Sequence, residues 1–269
     1  VLPRLKDGDG FFFWNFRADR ARTADHPRTR EPTEARTRAG RGAALAGRLA
    51  ATLGGDVVAG HGGFVVRVEP SSLVVPLVRE RLARLPGQPG PAARLVCLDT
   101  ETTGLGTAAG TLAFLVGLGR WAGDRLRRLQ LVCPDHGEEP ALLAELERAI
   151  PPDAWLVTYN GRAFDWPLLV TRYRLHRRAA PRHAGMLDLL PGGRRLFRHR
   201  LDDARLGTVE RELLGVHRHG DVGGWEIPGR YLDFVRGGPA ERREQGLPEL
   251  IQGCASRDLG PRGAGWGRR

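Results

Sequence analysis

This sequence predicts a mixed α/β fold, one sheet flanked by helices, with a small N-terminal α/β module in front of it. Three observations predict it. Apolar runs of strand length follow one another at residues 94–99, 111–121 and 126–133. "EEPALLAELERAI" (138–150) then switches to helical spacing, and "AWLVTYN" switches back to a strand. Gly- and Pro-rich punctuation separates the runs, as in "GLGTAAG" and "RLPGQPGPAAR". Segments that alternate in this way bury their apolar faces as helix layers on a sheet.

Taken in order, residues 1–42 stand apart. "FFFWNF" precedes an Arg-rich polar stretch broken by Pro27 and Pro32, which reads as a disordered arm. A helix over Ala43–Leu53 and strand-like runs at 56–59 and 64–68 make the small leading module, residues 43–84. The Pro/Gly density at 84–94 marks a boundary, and the main domain is expected over 93–259. Within it a Gly-rich turn near 104–110 and "AGD" separate the three successive strands. Glu138 and Glu139 sit at the start of the next helix, where its dipole favours acids. "FDWPLLVTRYRLH" is helical after the fourth strand, and further helices are expected at 192–199, 207–214 and 228–236. Three adjacent strands, then helix, strand and helix, is the order of a ribonuclease-H-like layer. Residues 260–269, rich in Gly and Arg, read as an irregular tail.

Charge narrows the partners. The chain of 269 residues carries a formal net charge of +11, and Lys6 is its only lysine. Arginine suits bidentate contacts to phosphate, and a basic balance of this size points to nucleic acid. An arginine-favouring codon bias would give the same excess. Cys97, Cys133 and Cys254 are far apart and form no CxxC pair, so neither a disulfide framework nor a zinc site is indicated. No apolar run reaches the ~18 residues of a membrane span, and no signal-peptide core opens the chain. The expectation is a soluble, cytoplasmic protein with no membrane partner; no pattern identifies a protein partner.

The chemistry concentrates in carboxylates. Leu95 to Leu98 is a buried-looking run that ends in Asp99 and Glu101. Side chains two apart on a strand share a face, so these acids point to one place if the strand continues through residue 101. Neighbouring like charges repel unless a cation or partner stands between them. Asp165, in "LVTYNGRAFDWPLL", follows a strand end and a Gly turn and begins a helix, where α/β sites assemble. On its own it also reads as a helix cap.

"CLDTETTGL" and "TYNGRAFDWPLL" resemble the first and second motifs of the DEDD (DnaQ-like) exonucleases. With "AGTLAFLVGLGRW", "EEPALLAELE", "MLDLLPGGRRLFRHRL", "LGTVERELLG" and "GWEIPGRYLDFVRGG", the ordered set resembles the YprB-type ribonuclease-H-like domain of that superfamily, over roughly residues 93–238. The resemblance implies a 3′–5′ exonuclease that hydrolyses single-stranded DNA or RNA with two Mg²⁺ or Mn²⁺ ions. Asp99 would bridge both ions, Glu101 would hold one and Asp165 the other. Thr102, Asn160, Arg194 and Arg195 would contact substrate. Asn160 has a second reading, closing the turn through its own side chain. The arginine run 194–200 has one too, as a solvated helix face.

The superfamily's fourth acid has its candidate in Asp258, within "LPELIQGCASRDLG". Gly253 stands where the pattern has His, and Gly260-Pro261 breaks the helix soon after. A catalytically impaired nucleic-acid-binding module is therefore the competing expectation. His183 and Asp188 resemble a family His–Asp pair and read equally as structural, and Tyr231 reads as core or as a stacking surface. Residues 6–22 resemble the substrate-binding segment of cofactor-independent phosphoglycerate mutase, without that enzyme's metal or serine motifs.

Overall fold

A computed structural model of the chain describes residues 32–75, 89–90, 92–104, 110–215, 226–237, 247 and 251. Residues 1–31, 217–221 ("HRHGD"), Trp225, Asp258 and the residues after it lie outside the described residues.

The first helix, α1 (Pro32–Leu53), begins eleven residues ahead of the expected start at Ala43. It turns Leu45, Ala46, Leu49, Ala50 and Leu53 inward, an apolar stripe at helical spacing. β1 (Asp56–Gly60) and β2 (Gly63–Val68) form an antiparallel hairpin, with Gly60 opposite Gly63. His61 and Gly62 between them both take positive φ, 52° and 75°, as the tightest hairpin turns require. β3 (Leu73–Val74) is a short strand against β6 (Arg125–Val132).

β4 (Arg94–Thr102), β5 (Ala113–Ala122) and β6 form an antiparallel meander. A 3₁₀ turn (His136–Glu138) leads into α2 (Glu139–Ala149), and β7 (Ala154–Thr158) then returns parallel to β4. α3 (Asp165–Leu175) connects to β8 (Gly185–Asp188), parallel to β7. Among the described residues eight strands make one sheet in the order β1-β2-β6-β5-β4-β7-β8, with β3 on β6. The strands of residues 56–68 join it through β2 and β6, where Val66 faces Val132. α4 (Leu189–Phe197), α5 (Leu206–Leu213) and α6 (Ile227–Arg236) follow. This is the expected α/β architecture, a mixed sheet flanked by helices.

β4 and α4 also differ from expectation. β4 runs on through Thr102 rather than ending at residue 99. α4 starts at Leu189, not 192, because the Asp188 side chain accepts the Leu190 N–H and caps the helix there.

Polar bonds lock the helices to the core. The Tyr173 hydroxyl donates to the Leu143 carbonyl at 2.6 Å, joining α3 to α2. Buried Glu139 at the start of α2 accepts from Arg172 Nε at 2.6 Å and lies 2.6 Å from His176 Nε2. Tyr231 of α6 stacks on Phe114 of β5, centroids 4.2 Å apart, so it belongs to the core. No helix among the described residues is long and apolar enough to cross a membrane.

A carboxylate-bearing edge of the sheet

β4 is paired with β5 from Val96 to Thr102, but with β7 only as far as Cys97 opposite Val157. Asp99 and Glu101 stand beyond that point, where the β7 side of the strand has lost its partner. They are two apart in a continuous strand, so both carboxylates leave the same face. Both are buried, at 5% and 3% exposure. The same-face row through Asp99 continues to Gly117 on β5 and Gln130 on β6. Gly117 puts no side chain beside Asp99. Gln130 is buried, and its Nε2 donates to the Ile251 carbonyl at 3.2 Å. Leu247 and Ile251, both helical and fully buried, therefore bring the C-terminal part of the chain onto the face of Asp99.

Asp165 comes to the same strand end by another route. β7 ends at Thr158, and Asn160 takes a left-handed φ of 71°, which Asn tolerates better than most residues. Gly161 follows because the turn presses on the strand: a Cβ there would stand 2.6 Å from the Thr158 Cβ. The Asn160 carbonyl then accepts from Ala163 and Phe164, and α3 starts at Asp165. Thr100 Oγ1 donates to Asp165 Oδ1 at 2.5 Å. Burial pushes the Asp165 carboxyl up to about 6, against the Thr100 hydrogen bond and aided by the charge of Asp188.

Asp188 is the clamp of this edge. Its carboxylate accepts from the Asn160 N–H at 2.8 Å, the Arg162 N–H at 3.0 Å and the Leu190 N–H at 3.1 Å. One side chain thus fixes the turn before Asp165 and the first turn of α4. His183, its expected companion, packs edge-on to Trp166 with centroids 4.8 Å apart.

The structure joins Asp165 to Thr100, which alternation puts on the β4 face opposite Asp99 and Glu101. Among the described residues no three of His, Cys, Asp or Glu are grouped to hold a metal ion. The donor chemistry still suits a hard divalent cation: buried carboxylates at one strand end, one of them with its charge disfavoured by burial. Thr102 is buried and its hydroxyl donates to the Gly104 carbonyl at 2.6 Å, which shapes the loop after β4. Asn160 acts here through its backbone. Arg194 and Arg195 are exposed on the last turn of α4. Sequence reasoning missed Thr100 as the partner of Asp165, although Thr100 stands between the two acids in the sequence of the motif itself.

The profile of the RNase_H superfamily matches residues 96–247. The Bacillus subtilis (strain 168) protein named "Uncharacterized protein YprB" is 44% identical over 144 residues, which cover 53% of this chain and 35% of that protein. The chain thus spans about a third of the length of this curated relative.

Proposed function

The chain belongs to the RNase H superfamily, and on that premise we propose that it is a metal-dependent 3′–5′ exonuclease acting on single-stranded DNA or RNA. One observation carries the reading: Asp99 and Glu101 are buried side by side on one face of β4, beyond the end of its pairing with β7. Two carboxylates are kept so close, out of water, only where a cation or proton offsets their repulsion. Asp99, Glu101 and Asp165 would hold Mg²⁺ or Mn²⁺, with Asp258 as the fourth acid. The ions, when bound, would steady the charge of the attacked phosphate and of the leaving oxygen.

The chain's own residues prepare that edge. Gly117 sets no side chain of its own against Asp99. Thr100 fixes the Asp165 carboxylate by a hydrogen bond, and Asp188 fixes the turn that carries it. Asn160 and Thr102 shape the two loops that flank the acids and would meet the terminal nucleotide there.

A second reading, a nucleic-acid-binding module with impaired catalysis, is favoured by Gly253, which stands where the exonuclease pattern carries its His. One experiment separates them. The parent should degrade a 5′-labelled single strand from its 3′ end in Mn²⁺. Asp99→Asn, nearly isosteric, should abolish this by a factor on the order of 10³ while still unfolding in one cooperative transition. Metal-dependent cleavage that survives in Asp99→Asn would sink the assignment, and a parent that binds strands without cleaving them would establish the second reading.

A further inference from the structure

We propose that the exposed arginine row at the C-terminal end of α4, Arg194, Arg195, Arg198 and Arg200, is a phosphate track that leads a single nucleic-acid strand to the Asp99/Glu101 edge. The inference rests on the nuclease reading for the identity of the strand, and it adds where that strand lies.

The helix is split into two faces. Leu190 is buried in a small cluster with Tyr159, Leu206 and Val209, and Gly193 lies against the Tyr159 hydroxyl, 3.6 Å from the position of a Cβ. Arg194, Arg195 and Arg198 fall at i, i+1 and i+4; Arg195 and Arg198 point away from that cluster, Arg194 flanks it, and all three are exposed. Arg198 continues the helical turn, its N–H bonded to the Arg194 carbonyl, and Arg200 follows in the next turn. Inner anchoring keeps the row rigid: Tyr159, one residue before Asn160, donates to the Ala204 carbonyl at 2.6 Å.

The charges of this row are unanswered. Elsewhere Arg67, Arg94, Arg148, Arg172 and Arg211 each pair with an acid. Among the described residues no carboxylate pairs with Arg194, Arg195, Arg198 or Arg200, and the Arg198 Nε donates instead to His199. A helix C-terminus favours one cation in its last turn, but guanidinium groups three and four residues apart repel one another. Such a row is unfavourable in the free protein and becomes favourable against a line of phosphates.

Placement supplies the direction. α4 starts at the C-terminal end of β8, and β4, β7 and β8 are parallel. The helix therefore departs from the sheet edge that holds Asp99 and Glu101, and Asp188 ties its first turn to the turn before Asp165. Ligands of open α/β sheets lie along this edge. Charge complementarity and position together select a polyanionic strand.

The test measures binding without cleavage, using labelled oligodeoxythymidine in EDTA. Replacing Arg194, Arg195, Arg198 and Arg200 by Gln should weaken affinity at least roughly tenfold at low salt. It should also reduce the slope of log affinity against log salt by about 2 to 3, the counterions of four phosphate contacts on a single strand. The same variant should melt slightly higher than the parent, since like-charge repulsion is removed. A control with Arg67, Arg94, Arg148 and Arg211 replaced by Gln has the same net charge and should keep the parent's affinity and slope. Equal losses in both variants, or none in the first, would overturn the track. So would a parent that binds anionic phospholipid vesicles and no oligonucleotide. Failure of the nuclease reading shows elsewhere, as strand binding without cleavage in Mn²⁺.

Discussion

Asp165 is an acid whose charge its surroundings disfavour. It is 6% exposed, and burial lifts its carboxyl from the ordinary 3.8 to about 6. A carboxyl with a higher pKa in the folded state keeps its proton longer when folded than when unfolded. Its cost to folding is therefore absent below about pH 4, grows as pH rises to about 6, and is constant above. The two-unit displacement corresponds to a cost of order 1–3 kcal/mol at neutral pH in the absence of cations. Asp165→Asn keeps an acceptor for Thr100 and removes the charge. In EDTA the variant should melt several degrees above the parent near pH 8, and the two should converge near pH 4. Mn²⁺ should reverse the order by stabilising only the parent, because a ligand of the folded state raises stability by mass action. Parallel pH curves for the two proteins would refute the cause. Asp165 was legible as a candidate from its place after a strand and a Gly turn. Its bond to Thr100 was not, because alternation along β4 sends Thr100 away from the acid pair and says nothing of what α3 brings to it.

At the scale of elements, the ends of strands and helices do the positioning. β4 was legible as a buried run, and its continuation through Thr102 is what lets Asp99 and Glu101 share a face. The early start of α4 was hidden, because Gly192 and Gly193 weaken any local helix signal. It is the Asp188 cap that carries the helix across them. Since this carboxylate accepts three backbone N–H groups, Asp188→Ala should leave all three without that partner. The loss should be about 1–3 kcal/mol, read as a lower urea midpoint. Asp188→Asn retains one acceptor oxygen and should lose roughly half as much. Cleavage should fall in both, in the same order, because the turn that carries Asp165 loosens with the cap. A midpoint unmoved in Asp188→Ala would mean that the turn is held by its own backbone bonds instead.

For the molecule as a whole, the decisive contact joins parts far apart in the chain. Parallel β4, β7 and β8 follow from strand–helix–strand order, which handedness and short connections restrict to few arrangements. The attachment of β1 and β2 to β6 has no local signal, since a hairpin's pattern does not name its neighbour. The C-terminal approach was legible only as "LPELIQ", whose Leu247 and Ile251 are four apart and fall on one helical face. In the fold both are fully buried, and Gln130 donates to the Ile251 carbonyl across 121 positions of sequence. That bond belongs to the row of Asp99, Gly117 and Gln130, so the C-terminal segment is drawn to the acid face before Asp258 is reached. Asp258 lies seven positions beyond Ile251, two helical turns if the helix continues. Ile251→Ala should cost about 2–4 kcal/mol by leaving a cavity on the sheet, and it should weaken cleavage in parallel. Asp258→Ala should behave otherwise: an unchanged melting temperature in EDTA, weaker Mn²⁺ binding, and cleavage reduced at least roughly a hundredfold. If Asp258→Ala instead cleaves like its parent, the fourth acid is not Asp258, and Asp99, Glu101 and Asp165 must account for whatever activity the parent shows.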